Sequence, residues 1–147
     1  MTALIPTTML SHGTLSCIDL APSRKFYVEL LGLDCVDIVP DRVMMVRKGA
    51  YWAIVCMVRT VAPKLTVQNH WGLDVATRAE VDAAYDTCNR VKADYGIRQL
   101  SRPRDIHGDY SFYLEDLDGN WWEIQCMGAR TFDDIFAAGD VRPSTAS

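Results

Sequence analysis

Two of the three histidines in this chain, together with one glutamate, have the types and positions that metal binding requires. His12 lies near the start of the first half of the chain and His70 near the start of the second half, each in a strand-like segment. Glu123 lies in the last strand-like segment. Two imidazoles and one carboxylate form the ligand set of non-haem Fe(II) sites, and three protein ligands also suit catalytic zinc. The sequence therefore predicts one divalent metal site per chain, with Fe(II), Mn(II) and Zn(II) all compatible with these ligands.

An internal repeat explains why the chain would carry one such site and not two. Residues 49–57 match residues 119–127, 70 positions later, and five of the nine aligned residues are identical. His12 and His70 take equivalent places in the two halves, whereas Ala53 stands where the second half has Glu123. Because alanine cannot bind a metal, only the second half supplies a carboxylate. The repeat predicts a duplicated module.

Periodicity and turn signals predict the order β-α-β-β-β in each half. Gly32 ends the first helix, and Thr77 with Glu80 forms a capping box at the start of the second. The predicted strands cover 9–20, 33–39, 42–46, 51–58, 65–76, 97–100, 110–115 and 121–127. We expect one α+β domain over 1–147, divided into module one (about 9–58), a linker (59–64), module two (about 65–127), and a C-terminal helix and tail (128–147).

Strand alternation places the three candidate ligands on polar faces, since side chains two residues apart point the same way. The opposite faces of the same strands are apolar and are expected to pack on the helices. Thr14 shares the face of His12, and Trp121 and Gln125 share the face of Glu123. These three residues are the predicted lining of a substrate pocket.

Charge and cysteine usage limit the possible partners and compartments. The formal net charge is -4, and no run of Lys or Arg exceeds two residues, which excludes a basic nucleic-acid surface and gives no sign of membrane binding. The five cysteines are odd in number and include no C-x-x-C pair. They are expected to be reduced thiols of a cytoplasmic protein.

Two stretches resemble the glyoxalase/bleomycin-resistance/dioxygenase modules of the vicinal-oxygen-chelate superfamily. Residues 11–33 resemble the opening of such a module, and residues 112–123 resemble its closing hairpin. The resemblance implies paired β-α-β-β-β modules that form a curled, eight-stranded mixed sheet around a metal-binding cavity. The ligand positions of the family fall on His12, His70 and Glu123. Many members are dimers, so the resemblance also implies a homodimer or a higher homo-oligomer.

Within this superfamily, the closing segment is most similar to one-domain type I extradiol dioxygenases. That similarity implies Fe(II), O₂ and a catecholic or other vicinal-oxygen substrate, with His107 as the acid/base group and Tyr113 as a hydrogen-bond donor. The chain departs from the pattern at three points. Leu117 replaces a proline, the spacer after His107 is one residue short, and module one has no late histidine.

Two other functions remain open at this point. The same scaffold and metal also resemble lyases, isomerases and thiol transferases, although Ala53 removes the fourth ligand of glyoxalase I and no dense Lys and Arg cluster suits a phosphonate. The scaffold further resembles bleomycin-resistance proteins, which bind a small molecule without metal. The presence of all three candidate ligands argues against a metal-free binding protein.

Overall fold

The structure, a computed structural model, describes residues 4–61 and 64–140, which form two successive β-α-β-β-β halves and a terminal helix. The first half contains β1 (His12–Cys17), α1 (Leu20–Lys25) with a π-helical continuation (Phe26–Leu30), β2 (Asp34–Val39), β3 (Val43–Arg47) and β4 (Ala53–Val58). The second half contains β5 (His70–Asp74), α2 (Arg78–Arg90), β6 (Gln99–Leu100), β7 (Arg104–Ile106), β8 (Asp109–Glu115) and β9 (Trp121–Cys126), followed by α3 (Phe132–Ala138).

Each half has its own mixed sheet, and the two sheets share one topology. The first sheet has the order β1-β4-β3-β2, and the second has the order β5-β9-β8-β6, with β7 paired to β8. The first strand of each half runs parallel to the last strand of that half, and the other pairs are antiparallel. The crossover to the parallel strand passes through the helix, as this connection requires.

The predicted α+β class and the paired modules are confirmed, and the sheet differs from the prediction in one respect. The described residues form nine strands in two separate hydrogen-bonded sheets of four and five strands, in place of one eight-stranded sheet. The additional strand, β7, has only three residues, too few to show an alternating pattern. Part of the predicted linker (62–63) and most of the tail (141–147) lie outside the described residues.

Local signals set the ends of the helices as expected. Thr77 caps α2, and the reciprocal bonds of a capping box join its side chain and backbone to Glu80. Gly32 follows the first helix with a φ of +65°, a left-handed conformation that glycine adopts without strain. None of the described helices is long and apolar enough to cross a bilayer.

Buried polar side chains join the two modules. The Asp116 carboxylate accepts hydrogen bonds from the Tyr27 hydroxyl (2.8 Å) and the Trp122 indole (3.1 Å). Asp118 accepts from the Ser23 hydroxyl at 2.6 Å and from the backbone N–H of Ile18 at 2.9 Å. The turn between β8 and β9 therefore holds the α1 region of module one against the second sheet.

Candidate metal centre

The structure brings together two of the predicted metal ligands, His70 and Glu123. The His70 Nε2 atom lies 3.1 Å from Glu123 Oε2, and their side chains are 30% and 11% exposed. Gly72 lies directly opposite Glu123 in the β5–β9 ladder, and His70 lies opposite Trp121. The imidazole and the carboxylate are thus diagonal neighbours on the two adjacent strands.

The register differs between the two modules. In the first sheet His12 lies opposite Ala53, whereas in the second sheet Gly72, not His70, lies opposite Glu123. His12 and His70 therefore occupy equivalent strands but positions that are two residues apart in the ladders. Because the shift is two residues, it leaves the predicted facing of the side chains unchanged.

The hydrogen bonds around the pair determine which His70 nitrogen is free. His70 Nδ1 lies 2.6 Å from the carbonyl oxygen of Val67, and since a carbonyl can only accept, Nδ1 carries a proton. In a neutral ring Nε2 is then a lone-pair acceptor facing a carboxylate oxygen. Two acceptors at this distance repel each other unless a proton or a metal cation lies between them.

The same pair has the spacing of two neighbouring metal ligands. Bonds from a metal to a histidine nitrogen and to a carboxylate oxygen are each about 2.0–2.2 Å long, so two atoms that share a cation lie within about 4 Å of each other. The 3.1 Å separation of His70 Nε2 and Glu123 Oε2 is within this limit. These two residues therefore have the donor types and the spacing that a shared divalent cation would require.

Two residues of β8 support the carboxylate. The Ser111 hydroxyl, which is fully buried, donates to Glu123 Oε1 at 2.6 Å, and Tyr113 lies directly opposite Glu123 in the ladder. The Tyr113 ring packs edge-on against His70, with 5.0 Å between ring centroids. Burial, followed by its hydrogen bond with Glu123, raises the pKa of Tyr113 to about 12. Tyr113 is therefore a neutral phenol and a hydrogen-bond donor at physiological pH.

His12 does not join this pair within the chain. It lies exposed on β1, in the other sheet, where its Nδ1 atom is 2.8 Å from the Ser11 hydroxyl. Among residues 4–61 and 64–140, no group of three or more His, Cys, Asp or Glu side chains is arranged to hold a metal ion. Thr14, on the same strand as His12, pairs with Val55 of β4 in the first sheet. The three-ligand set remains a prediction.

His107 lies at the exposed tip of the β7–β8 hairpin. It forms a two-residue turn with Gly108, and both have positive φ values, +53° and +98°. Tyr113 lies six residues further along the chain; the part of β8 from Asp109 to Tyr113 alone spans about 13 Å. The structure thus places His107 away from the His70–Glu123 pair of its own chain.

The predicted pocket residues of β9 flank Glu123. The Gln125 side chain donates to Asp74 at 2.8 Å, and the buried Trp121 Nε1 has no hydrogen-bond partner among the described residues. Sequence reasoning missed Ser111 and the Val67 carbonyl. Ser111 has the same strand parity as Tyr113 and so was within reach of the alternation argument, but a backbone carbonyl leaves no trace in the sequence.

These features define a two-module α+β protein in which a strand histidine and a strand glutamate of the second module lie side by side. The chain belongs to the Glyoxalase/Bleomycin resistance protein/Dioxygenase superfamily, the vicinal-oxygen-chelate group, whose family model matches residues 9–124. No curated protein matches the chain significantly.

Several solved structures share this fold at low sequence identity. A possible glyoxalase from Bacillus cereus is 24% identical with a TM-score of 0.63, and the match covers 82% of this chain and 100% of that one. The fosfomycin resistance protein FosX from Mesorhizobium loti is 18% identical with a TM-score of 0.62, covering 88% and 98%. A bleomycin resistance determinant encoded on transposon Tn5 is 20% identical with a TM-score of 0.58, covering 82% and 98%. At these identities the likeness establishes the fold alone.

Proposed function

We propose that this protein is a metal-dependent enzyme that acts on a small molecule with two adjacent oxygens. The observation that carries the proposal is the arrangement of His70 and Glu123. A ring whose proton is fixed on Nδ1 by Val67 turns its free nitrogen toward a carboxylate at 3.1 Å. A divalent cation between them satisfies both acceptors. Outer hydrogen bonds of this kind, from a carbonyl to the imidazole and from Ser111 to the carboxylate, are a usual feature of metal sites.

We further propose that His12 from a second copy of the chain supplies the third protein ligand. Among the described residues only two candidate ligands converge within the chain, and His12 is exposed on the other sheet. Exposed apolar side chains surround that part of module one, including Met9 and Leu10 just before β1. A contact between two copies would cover this surface and complete the site, which accords with the predicted homodimer.

Ring opening of a catechol with O₂ on Fe(II) is the first reaction to test. A bound metal would lower the pKa of a catecholic hydroxyl and give substrate and oxygen a common site. Tyr113, a phenol at neutral pH beside both ligands, would donate a hydrogen bond to a substrate oxygen. The tight Ser111–Glu123 bond would keep the carboxylate from rotating as substrate enters. His107 would act in proton transfer if a second copy brought its hairpin to the site.

The test is anaerobic reconstitution with Fe(II), followed by oxygen-uptake measurements on a panel of catechols. We expect uptake with at least one catechol, loss of uptake in Glu123→Gln, and little change in Glu115→Gln, which alters a glutamate on the neighbouring strand. An Fe(II)-loaded protein that consumes no oxygen with any catechol would refute the dioxygenase reaction.

The position of His107 favours a second candidate, a metal-dependent lyase, isomerase or thiol transferase. These reactions use no O₂, and within one chain no histidine acid/base group adjoins the pair in the described structure. A negative oxygen-uptake result combined with tight metal binding would select this group. A protein whose stability is the same with and without divalent metal would instead indicate a metal-free binding protein.

A further inference from the structure

A cavity of about 390 Å³ lies where the cores of the two modules meet. Its walls include the buried Val46 and Ile54 of module one and the fully buried Trp122 of module two. His70 lines one edge, but the predicted pocket residues Thr14, Trp121 and Gln125 do not line it. A volume of this size is within the range of small-molecule sites. The cavity is therefore a candidate binding site that adjoins the His70–Glu123 pair.

Two tryptophans form an aromatic wall of the cavity. The rings of Trp52 and Trp71 lie 5.1 Å apart at an angle of 48°. Trp71 packs directly over Gly13 of β1, where an added Cβ would lie only 2.3 Å from the ring. The missing side chain at Gly13 thus makes room for Trp71 in its present position. Aromatic surfaces of this kind favour flat aromatic ligands.

The Trp52 side chain meets the cavity with its ring. Its Nε1 atom is fully buried and has no partner among the described residues. Because that atom has no accessible surface, a ligand in the cavity would contact the ring of Trp52 and not its N–H group.

The charged side chains that line the cavity are all basic. Arg47 and Lys48 contribute to its wall, and no Asp or Glu does so in the described structure. Lys48 donates to the carbonyl of Gly32 at 2.7 Å, while the nearest carboxylate to Arg47, that of Asp34, is 3.9 Å away. Arg47 is therefore better able than Lys48 to bind an anion. A bound anion would compete with Asp34 for the Arg47 guanidinium.

We propose that this cavity binds an aromatic carboxylate. The apolar ring packs against the rings of Trp52 and Trp71, and the carboxylate pairs with Arg47. The cavity shares His70 with the proposed metal site, but this binding needs no metal, so a titration without metal distinguishes its failure from the failure of the proposed function.

The test is calorimetric titration of the full chain with 2-naphthoate in the presence of EDTA, beside neutral 2-naphthalenemethanol as the matched ligand. We expect naphthoate to bind one per chain and the alcohol to bind about tenfold more weakly, since a charge-assisted hydrogen bond contributes that much. Arg47→Gln should weaken naphthoate binding about tenfold, whereas Arg42→Gln, at the exposed β2–β3 turn, should not.

An NMR measurement on the same samples reports which indole is involved. In ¹⁵N–¹H spectra the Trp52 indole signal, assigned with Trp52→Phe, should shift on addition of naphthoate, while that of Trp121 should stay in place. Absence of naphthoate binding, equal affinity for the alcohol, equal effects of Arg47→Gln and Arg42→Gln, or an unmoved Trp52 signal would each overturn the proposal.

Discussion

At the residue scale, Glu123 depends on its neighbours for its orientation. One carboxylate oxygen accepts from Ser111 and the other faces His70. The buried hydroxyl leaves Glu123 Oε2 as the free oxygen, aimed at the place where a cation would bind. Such outer hydrogen bonds matter to metal sites because they fix the ligand before the metal arrives.

Ser111→Ala should therefore weaken metal binding by about 10–100-fold without unfolding the protein. The matched control is Ser101→Ala, which removes a hydroxyl that accepts from the Tyr113 backbone on the neighbouring strand. Metal affinity measured by calorimetry distinguishes the two. Equal affinities for Ser111→Ala and the control would show that Ser111 does not position the carboxylate.

His107→Asn distinguishes the role of His107 in the turn from its predicted role as an acid/base group. Asparagine before glycine favours the two-residue turn in which both residues have positive φ, so the hairpin should keep or slightly gain stability. Metal affinity should not change, because His107 does not contact the pair within the chain. Thermal unfolding and a metal titration check both expectations, and a loss of metal affinity would contradict them. Slower turnover in this stable variant would support the predicted acid/base role.

At the element scale, Asp116 joins the β8–β9 turn to the helix of module one. Its oxygens accept from five donor groups: the Tyr27 hydroxyl, the Trp122 indole, the backbone N–H groups of Asp118 and Asn120, and the Asn120 side-chain amide. Burial raises the pKa of Asp116, while these hydrogen bonds oppose the rise. A carboxylate accepts hydrogen bonds at both of its oxygens, whereas an amide of the same size accepts at only one atom.

Asp116→Asn would turn an NH₂ group toward two of these donors and should lower the free energy of unfolding by about 2–4 kcal/mol. Urea unfolding measures the change, and Asp86→Asn on the exposed face of α2 is the control. A loss of less than about 0.5 kcal/mol, the range of ordinary surface changes, would show that the junction does not depend on this charge.

A surface ion pair joins α2 to the β7–β8 hairpin and gives a prediction about pH. Arg78 donates to both oxygens of Asp105 at 2.6 and 3.0 Å and holds the pKa of that carboxyl below its ordinary value of 3.8. A lowered pKa means that the pair stabilises the fold above about pH 4, and this contribution is lost as the pH falls through the lower, folded-state pKa. Arg78→Gln should raise the pKa of Asp105, which NMR of the carboxyl carbon measures. The same substitution should reduce the loss of stability below about pH 4. An unchanged Asp105 pKa would contradict the ion pair.

The elements that the sequence predicted are those with a local signal. The capping box at Thr77, the stop at Gly32 and a helix within the C-terminal segment depend on neighbouring residues, and the structure contains all three. The division into two sheets was not predicted, because alternation specifies which face of a strand is buried but not which strand lies beside it. The strand β7 was not predicted because three residues are too few to show an alternating pattern.

At the scale of the whole molecule, the sequence again predicts the candidate site only in part, because local patterns do not specify which elements lie together. His70 and Glu123 lie on adjacent strands of one module. Parity placed both on polar faces, but it was the family resemblance that implied that they meet. His12 belongs to the other module, and its distance from the pair depends on how the modules and copies pack. No local pattern contains that information.

Mixing two variants tests whether the site lies between copies. His12→Ala and Glu123→Gln should each bind metal weakly alone. If His12 comes from the second copy, subunit exchange should restore full affinity at about one site in four, because half of the dimers are mixed and each of these has one intact site. Metal content after exchange measures the restored fraction. If mixed dimers form but metal affinity is not restored, His12 of a second copy is not the third ligand.

The most direct test of the central claim is anaerobic calorimetric titration of the metal-stripped protein with Fe(II). We predict one ion per chain for the natural sequence and for Glu115→Gln, and affinity lowered by more than about a hundredfold in both Glu123→Gln and His70→Asn, beyond the cost of losing an outer hydrogen bond. Equal binding by the natural protein and Glu123→Gln would contradict the assignment of this pair as metal ligands.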